Sequence, residues 1–308
     1  MSRSRIEKPD TPKLPPFYLY DTAVSGRGTV LVGANCNGRL FFWDLRTLAL
    51  TNSFDTRHSF GGTRLALSLS GDRVVVGSWG APGVTCFDTR SGDTVWQRKD
   101  LRRTQHLNAS RDGRKMYCGF DETRSLHVLS FKNGRTLDVL SDVAVFADSA
   151  VDRSHFVEGE QVWIRPKGSR AFQIERSTFA VLDHAFGKKC VAISEVGGPI
   201  SLFRLSDGVR FARYSPEPGC HCLALEYDAS RAEFVGFVAD YEREDGASTL
   251  LRFTEGGDFR VVSATLERDM HPTLCVAANV VVTGAGAVID LQTGTVGAWL
   301  QPRRIQGE

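Results

Sequence analysis

The chain has 308 residues, 42% hydrophobic and 24% charged, which is enough apolar surface to exclude disorder as its main state. No apolar run reaches the ~18 residues of a membrane-spanning helix, which excludes that element. Lys and Arg number 38 against 36 Asp and Glu, so net charge by itself gives no argument for a nucleic-acid partner.

Residues 1–16 are polar, with Pro9, Pro12, Pro15 and Pro16 among Arg3, Arg5, Lys8 and Lys13. No apolar stretch follows Met1, so a flexible tail is expected rather than a secretory signal. Short β-branched runs then end at glycines: Thr29–Val32 before Gly33, Arg73–Val76 before Gly77, and Val280–Thr283 before Gly284. Their length and turn-forming boundaries predict strands. A second unit follows each run: apolar residues, a polar turn, then more apolar residues. Its copies are Phe41–Leu45, Thr85–Asp88, His127–Ser130, Val162–Arg165, Leu202–Leu205, Leu250–Phe253 and Ala287–Asp290. The turn glycines are Gly92, Gly134, Gly168, Gly208, Gly256 and Gly294, and the first copy has Leu48 in that place.

Asp44, Asp88, Ser130, Arg165, Arg204, Arg252 and Asp290 mark the repeat, at spacings of 35 to 48 residues that average 41. A period of about 40–45 residues with four short strands per unit signals a β-propeller. The expected fold is all-β, a seven-bladed propeller of four-stranded antiparallel blades. The blades are drawn at 17–55, 56–99, 100–140, 141–177, 178–216, 217–264 and 265–301, with 302–308 as a second tail. Strand A of each blade is innermost and strand D outermost. The last blade is expected to supply its own four strands, with the N-terminal segment as a candidate closing strand.

Trp43-Asp44, at the end of a third strand, resembles the dipeptide of WD-repeat propellers. Asp88, Ser91, Gly92 and Trp96 resemble the quinoprotein-type (PQQ-like) repeat, and Asp290, Thr293, Gly294 and Trp299 repeat it with one extra residue before the tryptophan. The resemblance implies the propeller architecture over about residues 17–301. It implies no activity, because propellers host many.

The seven cysteines (Cys36, Cys86, Cys118, Cys190, Cys220, Cys222 and Cys275) are odd in number, and several lie in apolar runs. Free buried thiols in a reducing, cytoplasmic compartment are expected. His106, His184, His221 and His271 fall near first strands, but on alignment His184 matches Asn108 and Ser68 while His106 matches Ala66 and Thr273. They form no single ring of metal ligands. In a strand, Cys220 and Cys222 face away from His221, so these three do not converge on an ion. No nucleophile elbow or phosphate-binding loop occurs. The expectation is therefore a non-enzymatic protein, with no catalytic residues, no metal and no cofactor.

Charge is distributed unevenly over the loops. Loops between second and third strands share the top face and are acidic: Asp121 and Glu122, Glu158 and Glu160, Glu195, then Asp240, Glu242, Glu244 and Asp245. The last group lies in an insertion, Asp240–Ser248, and insertions in repeats gather on a binding face. Trp79 and Tyr241 are the aromatic anchors offered there. Turns of the opposite face are basic, including Arg27, Arg73, Arg114, Lys115, Lys132 and Arg135. The expected function is protein binding, with the top loops gripping a basic protein as an intracellular inhibitor, an immunity-type protein or a scaffold subunit. The alternative is an enzyme or small-ligand binder at the channel mouth, using Asp183, His184 and His221. Nucleic acid or anionic lipid at the basic turns ranks third.

Overall fold

The computed structural model describes residues 19–300 apart from 36, 59–62, 80–81, 105, 111, 121–124, 142–144, 149–152, 159–160, 166–171, 175–180, 196–198, 241–247, 267–273 and 278. The described strands form four-stranded antiparallel meanders in chain order. Blade 1 holds β1 (Asp21–Val24), β2 (Val30–Ala34), β3 (Arg39–Asp44) and β4 (Leu50–Asp55). Blade 2 holds β5 (Arg64–Leu67), β6 (Arg73–Gly77), β7 (Val84–Asp88) and β8 (Thr94–Arg98). Blade 3 holds β9 (His106–Ala109), β10 (Lys115–Phe120), β11 (Ser125–Ser130) and β12 (Thr136–Ser141). Blade 4 holds β13 (Val145–Asp148), β14 (Arg153–Glu158), β15 (Gln161–Arg165) and β16 (Phe172–Ile174). Blade 5 holds β17 (Val181–Phe186), β18 (Cys190–Glu195), β19 (Ile200–Arg204) and β20 (Arg210–Tyr214). Blade 6 holds β21 (Cys220–Asp228), β22 (Glu233–Asp240), β23 (Ser248–Thr254) and β24 (Phe259–Leu266). Blade 7 holds β25 (Leu274–Ala277), β26 (Val280–Thr283), β27 (Ala287–Asp290) and β28 (Val296–Trp299). Six of these sheets are described largely down to their side chains; for β13–β16 the backbone pairing alone is described.

The continuous apolar runs follow from burial on both faces of the sheets whose side chains are described. Successive side chains of a strand point to opposite faces. Val74 and Val76 therefore join Val32, Leu40 and Phe42 of blade 1, while Val75 joins Met116 and Cys118 of blade 3. Phe234 and Val238 pack toward blade 5, and Val235 and Phe237 toward blade 7. Every such core is an interface between neighbours, so a blade alone leaves both its faces wet.

The ring closes between the ends of the described chain. Leu19, Leu31 and Trp43 share a core with Val282, Val288 and Leu300. Leu19 N donates to Gly284 O at 2.9 Å. Among the described residues blade 7 draws four strands from its own segment, and Leu19 packs into the seam between blades 7 and 1.

The repeat marks open the C–D turns. Asp44 Oδ1 accepts from Arg46 N (3.0 Å) and Thr47 N (2.9 Å), Asp88 Oδ1 from Arg90 N and Ser91 N (both 2.9 Å), and Asp290 Oδ1 from Gln292 N (2.7 Å) and Thr293 N (2.8 Å). These bonds hold all three carboxyls below the usual carboxylate range. The fifth residue of the turn takes positive φ at Gly92 (75°), Gly134 (68°), Gly208 (74°) and Gly294 (73°), while Gly168 lies outside the described residues. Leu48 adopts the same conformation, φ 56°, without being glycine. A register shift follows in the partner strand, as expected when one residue of a hairpin sits in the left-handed region.

Two expectations need correction. In blade 6 the turn opens at Thr254, not Arg252, and positive φ falls on Gly257 (92°), not Gly256. The cause is a third strand that runs on to Thr254 and a turn one residue shorter. The second concerns the quinoprotein-type pattern. Trp96 pairs opposite Cys86 and faces blade 3, whereas Trp299 pairs opposite Ala287 and packs toward blade 6. One extra residue reverses the face of a strand side chain, so the two tryptophans are not equivalent.

Candidate interaction faces and channel mouth

The β6–β7 loop carries Trp79 on the top face, 54% exposed. The loop is fastened at both ends. Before Trp79, Ser78 Oγ lies 3.2 Å from His58 Nδ1, and Ser78 O accepts from Thr104 N at 3.3 Å. After it, Gly83 holds φ 96°, where an added Cβ would stand 2.3 Å from Arg98 O. His58 Nε2 also reaches Thr85 Oγ1 at 3.1 Å. Thr56 Oγ1 ties the His58 segment to blade 1 by donating to Gly38 O at 2.7 Å. Burial holds the His58 pKa down to about 4, so the imidazole is neutral at pH 7. The result is a large aromatic presented on a braced loop. Sequence reading found Trp79 but missed His58; its only signal was a histidine between blades followed by Ser78 and Thr85.

The acidic residues fare differently. Asp240 ends β22 opposite Cys220 and is half-buried. Glu158 ends β14 opposite Gln161. Glu195, expected on the acidic surface, is only 2% exposed: β18 extends through it, and it pairs with Val181 inside the sheet. Asp121, Glu122, Glu160, Tyr241, Glu242, Glu244 and Asp245 lie outside the described residues.

On the first strand of blade 5, Asp183 Oδ2 accepts from Leu225 N at 2.6 Å. Asp21 Oδ2 does the same for Leu65 N at 2.8 Å. Each carboxylate staples its innermost strand to the next blade. Burial pushes the Asp183 pKa up to about 6. Burial also lowers His184 to about 3, with its Nδ1 3.9 Å from Asp183 Oδ1. Burial is the main cause that depresses His106, reinforced by positive charge at Arg64 and His184. Among the described residues no three His, Cys, Asp or Glu side chains are grouped to hold a metal ion. Cys220 and Cys222 both pack toward the core between blades 5 and 6, as strand alternation requires. Burial raises the Cys86 and Cys190 thiols to about 12, which keeps them protonated.

No family model matches the chain, and no curated protein does so either. Solved structures share its fold. "Structure of U3-55K" is 14% identical over 87% of this chain and 88% of that one, with a TM-score of 0.68. "Crystal structure of RRP9 WD40 repeats" is 14% identical over 87% of both chains, with a TM-score of 0.69.

Proposed function

We propose that this chain is a seven-bladed, WD-repeat-like propeller that acts without catalysis, binding a basic protein through its top loops. The observation that carries the reading is Trp79, 54% exposed on a loop braced by the buried His58. A rigid aromatic loses little conformational freedom on docking, and interface energy concentrates in such residues. The acidic composition of the 240–245 insertion adds attraction for a positive surface. The WD40-type architecture of the neighbouring structures supports a binding role. An inhibitor or immunity-type protein and a scaffold subunit are the two forms this role takes.

The test is capture of partners from native lysate by the tagged chain at low and high salt, identified by mass spectrometry. One dominant basic protein is expected, released by salt. Trp79→Ala should weaken its binding by ~10-fold or more. Joint neutralisation of Asp240, Glu242, Glu244 and Asp245 should slow association at low salt. Unchanged binding by both variants would remove this face from consideration and favour the channel mouth.

A further inference from the structure

The bottom face is divided in a way that net charge conceals. On blades 5 and 6 four arginines are paired, while Lys188, Lys189 and Arg210 form no ion pair among the described residues. Arg204 reaches Asp207 (3.3 Å), Arg231 reaches Asp228 (3.3 Å), and Arg252 and Arg260 share Glu233. On blades 2 and 3, Arg73, Arg90, Arg114, Lys115, Lys132 and Arg135 crowd two neighbouring pairs of turns, and among the described residues none of them forms an ion pair. Arg73 Nη1 instead donates to Lys132 O at 3.1 Å, binding the two turns together.

The local carboxylates are engaged within their own turns. Asp72 accepts from the Ser68 and Ser70 hydroxyls. Asp112 accepts from Ser110 Oγ at 2.6 Å and Arg114 N at 3.0 Å, and Asp88 is held by backbone N–H groups as above. Beside these cations stands Leu69, 37% exposed. Its position is set by two glycines of the flanking blades: a Cβ on Gly26 would lie 2.5 Å from Leu69 Cδ1, and one on Gly113 would lie 2.8 Å from Leu69 Cβ. Arg27 N donates to Leu69 O at 3.2 Å, which brings Arg27 to its other side.

We infer that the bottom face of blades 1–3 is a docking surface for an acidic protein segment bearing one apolar side chain that covers Leu69. An apolar centre with a charged rim is the anatomy of a protein interface. Unpaired cations need no internal partner broken before they engage carboxylates. Asp72, Asp88 and Asp112 interrupt the cations, which disfavours a continuous phosphate backbone, and a nucleic acid has no use for the exposed leucine. This surface is opposite in sign and in position to the top loops, and stands independently of them.

The test titrates the full chain into labelled acidic peptides of about a dozen residues, made of Asp and Glu with one central Leu, Phe or Trp. The probes for comparison are an all-acidic peptide, a duplex DNA oligonucleotide and phosphatidylserine vesicles. At least one apolar-bearing peptide should bind, more weakly as salt rises. Lys132→Glu with Arg135→Glu, or Arg114→Glu with Lys115→Glu, should each weaken it ~10-fold. Leu69→Ser should weaken the apolar-bearing peptide and leave the all-acidic one unchanged. Arg204→Glu on blade 5 should leave all binding unchanged. The inference fails if no peptide binds at low salt, if charge reversal has no effect, or if DNA or vesicles bind equally well to wild type and Leu69→Ser. Retained capture of a basic protein by the charge-reversed variants separates this failure from failure of the top-face reading.

Discussion

His58 shows how one buried side chain joins three segments. It bridges Ser78 and Thr85 while its own backbone is tied through Thr56 to Gly38. Its pKa of about 4 in the fold lies below the 6.5 of the free side chain. The unfolded chain therefore binds more protons between those values, and the stability contributed by neutral His58 is present above pH ~6.5 and lost as pH falls toward 4. His184 acts in the same direction, down to about 3. Asp183, raised to about 6 from 3.8, acts oppositely: its contribution is present below the unfolded value and lost as pH rises through 6. His106 and His127 are lowered too, so four histidines stand against one carboxyl; denaturant midpoints should fall between pH 6.5 and 4, and His58→Gln should flatten that slope. A slope unaltered in His58→Gln would show that His58 is not the source. This role was not legible in the sequence, because Ser78 and Thr85 lie 20 and 27 residues away.

At the scale of the element, the C–D turn is one device with local variations. Where its mark is aspartate the carboxylate accepts from two backbone N–H groups, its glycine turns left-handed, and the residue facing the next blade reaches across. Asn52 donates to Thr89 O (2.8 Å), Trp96 to Phe131 O (3.0 Å), and Arg252, from a third strand, to Leu291 O (2.7 Å). All three acceptors are the residue after the mark. Between blades 7 and 1 this reach is missing, since Ala298 occupies the position held elsewhere by Asn52 and Trp96. Leu48 packs against the same closing core as Ala298 and Leu50. A non-glycine residue in that conformation costs about 1–2 kcal/mol, offset here by packing. Leu48→Ala should destabilise the protein by ~1–2 kcal/mol, because it keeps the backbone cost and loses the contacts. Leu48→Gly should fall between wild type and Leu48→Ala in urea unfolding, and the reverse order would refute this account. The turn itself was readable from Asp, Ser or Thr, and Gly at fixed spacing. The blade 6 variant was not, since Gly256 and Gly257 are adjacent and only pairing of the third strand selects between them.

For the whole molecule, the important joint is that between blades 1 and 7. Elsewhere neighbouring blades are linked by the chain; here packing and the Leu19 N to Gly284 O bond join them. A radial column of rings, Tyr214, Phe259, Phe253, Phe234 and Tyr227, fills the joint between blades 5 and 6, with centroids 4.8 to 5.3 Å apart. Among the described residues the closing joint holds one stacked ring pair, Phe41 and Trp43, with centroids 5.9 Å apart. Leu19→Ala should cost ~2–5 kcal/mol and raise amide exchange in β1 and β25 together. Exchange raised in β1 alone would mean that Leu19 supports its own blade and not the closure.

The amino-acid sequence by itself determined the strands, their antiparallel meanders and the C–D turns. These follow from local preferences: β-branched runs, turn-forming residues and a regular period act over a few residues at a time. It also marked Trp79 as a loop aromatic and the opposite turns as basic. Only the tertiary structure decided which of those features face solvent. Glu195 is buried because its strand extends through it, and Trp299 faces the preceding blade because of one inserted residue. Among the described residues Arg204, Arg231, Arg252 and Arg260 of blades 5 and 6 are paired, whereas Arg73, Arg90, Arg114 and Arg135 of blades 2 and 3 form no ion pair. Such outcomes depend on what a neighbouring blade places a few ångströms away, and those neighbours are about forty residues distant in the chain.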